Sequence, residues 1–339
     1  MTALCVLETA AVTAVGLASA SAAAAVRCGI AGFAEYAGAN NLVREPAIVA
    51  APPGIAAFED AALAMAEMAA AALAQLTLPG PLPILLTLPE DRPGLGPDLA
   101  GRVTAGLAQR FPEHRISVAG GAGHAGVGVA LQQVAAYLDR NPDGAVAVVG
   151  TDSYLHRDTI RWLDQNRQLH ATYNAWGFIP GAAAGAALLC HPRLARSRPQ
   201  PPVGVIEAFA VEREAVPIKT DGVCLGRAMS RIVDSLVAGQ PEGAVFDMLY
   251  CDQNGETYRA DELGFTLART ARRFRDPSDF LTPADCWGDV GAASLPLYIA
   301  LATEAAARNY SRGPVSLLLA GSESGLRAGI RLRTKAGGA

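Results

Sequence analysis

The stretch Arg115–Leu131, RISVAGGAGHAGVGVAL, holds the first residues with a chemical spacing. Gly121, Gly123 and Gly126 spell G-x-G-x-x-G after a β-type run and at a small-residue helix start, and Asp152 closes the next apolar run. In a dinucleotide site such glycines allow a tight turn against the pyrophosphate, the helix N-terminus faces its charge, and an acid takes a ribose hydroxyl. The same strand–turn–helix can instead be an elbow presenting a nucleophile to a helix N-terminus, which favours a thiolate. This turn contains no Cys, Ser or Lys. It reads as a dinucleotide turn or as an elbow without its catalyst. His124, one step past the glycines, is the only nearby imidazole, and it reads as a pocket residue or as a packed histidine.

A second polar group lies in CDQNGETY and DCWGDVGAAS. Asp252, Asn254, Glu256 and Asp289 would form a hydrogen-bonded cluster if the fold joins these segments. Alternatively, Asp252-Gln253-Asn254-Gly255 is plain turn chemistry at a strand exit. Cys251 and Cys286 flank the two segments, either as thiols facing a pocket or as inert buried residues. The six cysteines show no CxxC pairing and the five histidines no HExxH cluster, so no metal site is expected.

Elements must position these residues, and 339 residues suffice for two domains or one duplicated one. With 18% charged and 51% hydrophobic residues, most of the chain should pack. A net charge of -4 gives no footprint for nucleic acid. The Ala-rich runs are too poor in Leu, Ile and Phe for a membrane span, and no basic residue precedes the apolar N-terminal stretch as in a secretory leader. Unpaired cysteines in a chain of this size suggest the cytoplasm. PLPILLTLP, RISVA (115–119), AVAVVGTDSY and GAAAGAALLC read as strands, with AAFEDAALAMAEMAAAALAQL, PDLAGRVTAGLAQRF and HAGVGVALQQVAAYL as helices among them. The second part repeats the alternation and ends in a strand pair, PVSLLLAGSESGLRAGIRLR. Such alternation predicts an α/β fold with largely buried sheets. HPRLARSRPQPP is the expected linker, dividing the chain into 1–190, 191–202 and 203–339.

The two parts resemble each other. AVAVVGTDS and VSLLLAGSES both end an apolar strand in Gly-(Thr/Ser)-acid-Ser, and Gly150 and Gly321 lie 171 positions apart. The same offset carries Gly120 to Gly291, which opens the small-residue helix GAASLPLYIAL. Three landmarks in one order indicate an internal duplication. It predicts that the helices beginning near Gly120 and Gly291 pack together centrally, where small residues let backbones approach. It also explains the elbow glycines without a ligand, since the counterpart GDVGAAS lacks the dinucleotide spacing.

On ISVAGGAGHAGVGVAL, AVVGTDS, GFIPGAAAGAALL, CDQNGETYRADELGF and DCWGDVGAASLPLYIAL, the chain resembles the thiolase superfamily and, within it, the β-ketoacyl-ACP synthases. The resemblance runs over nearly the whole length. It implies a thiolase-like five-layer αβαβα fold with two pseudo-twofold-related halves, and a homodimer paired through 115–119. In that family an elbow Cys is acylated while two histidines, or His and Asn, assist decarboxylation and condensation. The matched positions are Gly120 (or Gly121), Gln253 and Gly288, none able to do the original work. The resemblance therefore implies a degenerate, catalytically inactive β-ketoacyl-synthase-like protein, with His124, Asp252, Gln253, Asn254, Glu256, Cys286 and Asp289 as remnants of a pocket. It implies no cofactor. Proteins of this kind in Gram-negative bacteria include some encoded near type VI secretion effector genes. The implied role is accessory or effector-chaperone, with a secreted effector, another protein or an acyl carrier protein as partner. Two rivals stand beside it: an acyl-thioester enzyme (condensing subunit, hydrolase or decarboxylase) working without the Cys, and NAD binding through Gly121.

Overall fold

The computed structural model describes residues 3–335; the outermost positions of the two expected halves, 1–2 and 336–339, lie outside the described residues. The first half runs β1 (Leu4–Val12), α1 (Ser19–Arg27), a hairpin β2 (Phe33–Asn40) and β3 (Pro46–Ala50), α2 (Ala61–Leu73), β4 (Pro83–Leu88), α3 (Leu99–Arg110), β5 (Arg115–Ala122), α4 (Gly126–Arg140), β6 (Ala145–Ser153), α5 (Arg157–Gln165) and β7 (Ala182–Cys190). A short helix α6 (Pro192–Ser197) occupies the expected linker, capped by the His191 imidazole, which accepts from the Arg193 amide at 3.1 Å. This stretch is therefore a helix packed on β1 as well as a connection. The second half runs β8 (Gly204–Arg213), α7 (Arg227–Val237), β9 (Met248–Cys251), α8 (Thr257–Thr270), β10 (Phe280–Leu281), α9 (Ala284–Trp287), a 3₁₀ turn at 291–293, α10 (Ser294–Ala307), β11 (Val315–Gly321) and β12 (Leu326–Thr334).

The strand order is β10-β9-β11-β12-β8-β1-β7-β6-β4-β5. Setting aside the β2-β3 hairpin, within each half the first strand pairs antiparallel with the last, the last antiparallel with the penultimate, and the next strand after the first (β4 or β9) parallel with its two neighbours. The halves meet where β1 pairs with β8 over Leu4↔Ile206, Cys5↔Val205 and Val6↔Gly204. One connectivity used twice is what the repeated landmarks predict.

Helices α2 and α3 cover the outer face of the first sheet, α7 and α8 that of the second, and α4 and α10 fill the layer between the sheets. This is the thiolase-like five-layer αβαβα arrangement. Composition drives the layering. Helix α2, AALAMAEMAAAAL, buries nearly all its positions and starts cleanly because Asp60 accepts from the Ala62 amide at 2.9 Å. Strands β6 and β7 are buried along their full lengths and read as continuous apolar runs. Among the described residues, no helix is long and apolar enough to cross a membrane.

The role of the small residues needs correction. Helix α4 starts at Gly126, six residues after Gly120, because β5 continues to Ala122. The close approaches are between helix and sheet. A Cβ at Gly128 of α4 would lie 2.6 Å from the Ala328 Cβ of β12, and one at Gly185 of β7 would lie 2.9 Å from Leu297 of α10.

Gly128→Val should therefore overpack this contact and lower stability in urea unfolding by about 1–3 kcal/mol. Gly264→Ala, in α8 with no atom within 4 Å of the added Cβ, should leave stability unchanged or raise it by about 0.5–1 kcal/mol.

Candidate functional site

The elbow turns at Gly123, whose φ of +70° suits glycine and whose added Cβ would meet Glu90 and Ser322 at 2.9 Å. Ser322, beyond β11, fastens the turn: its hydroxyl donates to the Ala122 carbonyl at 2.8 Å and accepts from the Ala125 amide at 3.0 Å. Glu90, beyond β4, reaches the same place and accepts from the amides of Glu323 (2.7 Å) and Ser324 (2.9 Å). Both halves thus hold the elbow, and its geometry carries His124 inward to 3% exposure.

His124 Nε2 lies 2.7 Å from Asp289 Oδ1, in the turn before α10. That carboxylate also accepts from the Gly291 amide at 2.9 Å and from Asn254 Nδ2 at 2.7 Å. Asn254 Nδ2 also donates to Glu256 at 3.1 Å, and Glu256 accepts from the Tyr258 hydroxyl at 2.5 Å. Asp252 Oδ2 is held by Arg259 Nη1 at 2.8 Å and by the Gly321 amide at 2.7 Å. The space bounded by His124, Asp252, Asn254, Trp287, Asp289 and Tyr298 measures only about 10 Å³. That is room for one water.

Electrostatics follow from this packing. Burial opposes charge on His124, yet the Asp289 carboxylate outweighs it, against Arg259, and holds the imidazole above its ordinary value. Burial would raise Asp289, but His124 and then Arg259 pull its carboxyl well below the usual carboxylate range. The two form a buried ion pair. Burial pushes the thiols of Cys251 and Cys286 up, so both stay protonated at neutral pH.

The structure brings together His124, Asp252, Asn254, Glu256 and Asp289, so the turn at 252–255 is part of a polar cluster. Of the three matched family positions, only Gly288 borders this space, and it brings no side chain. Gly120 is exposed on β5, Gln253 turns away to donate to the Arg259 carbonyl at 2.7 Å, and Gly288 is a tight turn at φ +72°. Neither Cys251 nor Cys286 lines the space; Cys251 Sγ instead points to the Leu281 carbonyl at 3.8 Å.

The glycine spacing serves packing. A Cβ at Gly121 would stand 2.9 Å from Val129 Cβ, and Asp152, the supposed ribose acid, is 1% exposed. Its Oδ1 takes Arg92 Nη2 at 2.5 Å and its Oδ2 the Ala292 amide at 3.0 Å. The dinucleotide reading fails because its acid is committed to the core.

Arg92, Arg259, Glu90 and Ser322 were not singled out from sequence. Buried carboxylates demand cations, and Arg259 stands seven residues after Asp252, but Arg92 and Ser322 lie far from their partners in the chain. One trio with metal-ligand chemistry converges elsewhere among the described residues, Glu214, Cys224 and Glu262. Both of its carboxylates are engaged, Glu214 by the Ala228 amide at 2.8 Å and Glu262 by Arg327 at 2.7 Å.

No protein-family model matches the sequence, and no curated protein matches it. Solved structures do. The ishigamide ketosynthase/chain length factor superposes with a TM-score of 0.70 at 18% identity, over 98% of this chain and 99% of that one. The complex AntDE:AntF, a type II PKS acyl-carrier protein with its ketosynthase, gives 0.76 at 13% identity over 98% and 100%. The oxazolomycin ketosynthase domain OzmH KS7 of Streptomyces albus JA3453 gives 0.75 at 12% over 100% and 75%. The chain shares the fold of these ketosynthase structures.

The ion pair dictates a pH response. The raised imidazole adds stability fully present below its unfolded value of about 6.5 and lost as pH rises through the higher folded value. The depressed Asp289 adds stability present above its unfolded value of about 3.9 and lost as pH falls through the lower folded value. Urea unfolding should therefore show stability declining on the alkaline side, and Asp289→Asn should flatten that decline. Asp289→Ala, which strands a buried imidazolium, should cost about 3–5 kcal/mol at pH 6.

Proposed function

We propose that this ketosynthase-fold chain makes no carbon–carbon bonds and works as a binding and assembly component. One observation carries the reading: the elbow and the two later motifs contribute His124, Asn254 and Asp289 to a mutually bonded set around about 10 Å³ of space. By resemblance, the family's catalytic set takes one residue from each of these segments. We therefore assign the three positions to His124, Asn254 and Asp289, in place of Gly120, Gln253 and Gly288. No thiol stands at the elbow, no imidazole stands at the other two positions, and the carboxylate that replaces one of them is spent on the ion pair.

Assembly is the remaining use of such a fold. Strand β5 pairs with β4 alone and leaves its outer edge open, with Val118 39% exposed. An open edge is relieved by pairing, and antiparallel pairing of 115–119 with a second copy closes it. The structural neighbours named as a ketosynthase/chain length factor and as a ketosynthase with its acyl carrier protein suggest, by fold analogy, a ketosynthase-like subunit or a carrier protein as further partner. An effector chaperone of type VI secretion in the cytoplasm is the narrower form of the same role and rests on the sequence resemblance.

A rival reading has one point in its favour. His124 paired with Asp289 is a His–carboxylate dyad, which in an open site orients a general base toward water. A thioester hydrolase or decarboxylase would use it so.

Two experiments decide. Incubation with acyl-CoA and malonyl-ACP, followed by mass mapping, should give no adduct at 118–126 and no turnover. His124→Cys alone should not restore condensation, since Asn254 and Asp289 leave decarboxylation without imidazoles, a loss of roughly 10²–10⁴-fold per acid–base group. Hydrolysis abolished by Asp289→Asn would establish the rival. Light scattering at tens of micromolar should give a dimer, and Ser117→Lys, which sets like charges opposite each other at the twofold axis, should give a monomer. A wild-type monomer would remove the homodimer.

A further inference from the structure

Helix α10 has a second, open cavity at its far end. Its N-terminal residues Ser294 and Tyr298 border the small polar site, whereas Leu301 and Ala305 border a cavity of about 270 Å³. The stretch from Ser294 to Ala305 spans about 16 Å of helix, so the two spaces are distinct.

The cavity combines an apolar wall with a polar corner. Val26 and Ala23 of α1, Met248 of β9, Leu281 of β10, and Leu301 and Ala305 of α10 form the wall. At the corner stand Tyr250, Tyr310, Arg27 and Arg312. Tyr250 is 5% exposed and borders this cavity. Burial holds that phenol protonated, with Tyr310 and Arg312 beside it.

Arg27 lies 4.2 Å from the centre of the Tyr310 ring and pairs with no carboxylate of the described residues, while Arg312 is paired with Asp279. The corner is thus a donor-rich, cationic seat at the mouth of an apolar hole. At about 30 Å³ per water-sized group, the hole accepts roughly eight or nine of them.

We propose that this cavity is a binding site for a medium-length acyl carboxylate of about eight carbons. Its carboxylate accepts from Tyr250 and Arg27, with Arg312 alongside, and its chain lies along Val26, Met248, Leu281 and Leu301. The proposal does not depend on what happens at the elbow.

Calorimetric titration with sodium octanoate, against 1-octanol as the uncharged analogue, tests it. Wild type should bind octanoate at one saturable site, about 10-fold or more tighter than octanol, as expected for charge-assisted hydrogen bonds. Tyr250→Phe and Arg27→Gln should each weaken octanoate about 10-fold, and Arg27→Gln should leave octanol unchanged. Both changes spare the fold, one by removing a single hydroxyl and the other by altering an exposed helix end. Absence of octanoate binding at millimolar concentration, equal affinity for octanol, or wild-type affinity in both variants would overturn the site.

Discussion

Asp289 is the group on which the centre of the molecule depends. Its two oxygens take hydrogen bonds from the elbow (His124), from the segment after β9 (Asn254) and from the turn that opens α10 (Gly291). A carboxylate at 4% exposure is tolerable only when cations and donors surround it. The same demand recurs on either side, where Asp152 is met by Arg92 and the Ala292 amide, and Asp252 by Arg259 and the Gly321 amide. Asp152 and Asp252 each fix a backbone amide of another segment as well as a cation, while Asp289 fixes the amide of its own turn and side chains from two other segments. The layers are thereby registered against one another by direction-sensitive bonds, which apolar packing alone does not supply.

That arrangement has a chemical cost. A group able to accept a proton or attack a carbonyl must keep a free lone pair and room for a substrate atom. Here the lone pairs of Asp289 are taken by neighbouring N–H groups, and the room beside them is about that of one water. The elbow keeps its shape, with glycine at positive φ and a helix beginning two residues beyond His124, but Ser322 and Glu90 clamp it from both sides.

Much of this was legible in the chain. Apolar runs and Ala-rich helices marked the alternation, and the 171-residue echo marked the duplication that the shared strand order expresses. The candidate residues came from the right segments but not always from the right positions. Whether Gln253 or Asn254 enters the centre depends on how a turn is rolled, which spacing along the chain does not reveal. Gly120 looked like the end of a strand because glycine breaks β patterns, yet β5 absorbs both Gly120 and Gly121 and turns only at Gly123. The small residues were recognised as contact points, but their partner was a sheet, since Gly128 meets Ala328 of β12. Asp152 looked available because a strand end is normally open; Arg92, sixty residues earlier, closes it.

The doubled strand order has a further consequence at its two ends. Both outermost strands descend from the same slot in the repeat, yet β5 runs from Arg115 to Ala122 while β10 is the two-residue stub Phe280–Leu281. A ribbon with two good selvedges can be sewn to its neighbours indefinitely, as in a fibre. This one has a single finished margin and a hem too short to stitch. Of the two outer edges only β5 offers a long row of backbone groups, and β10 offers no matching edge from which a sheet could be continued.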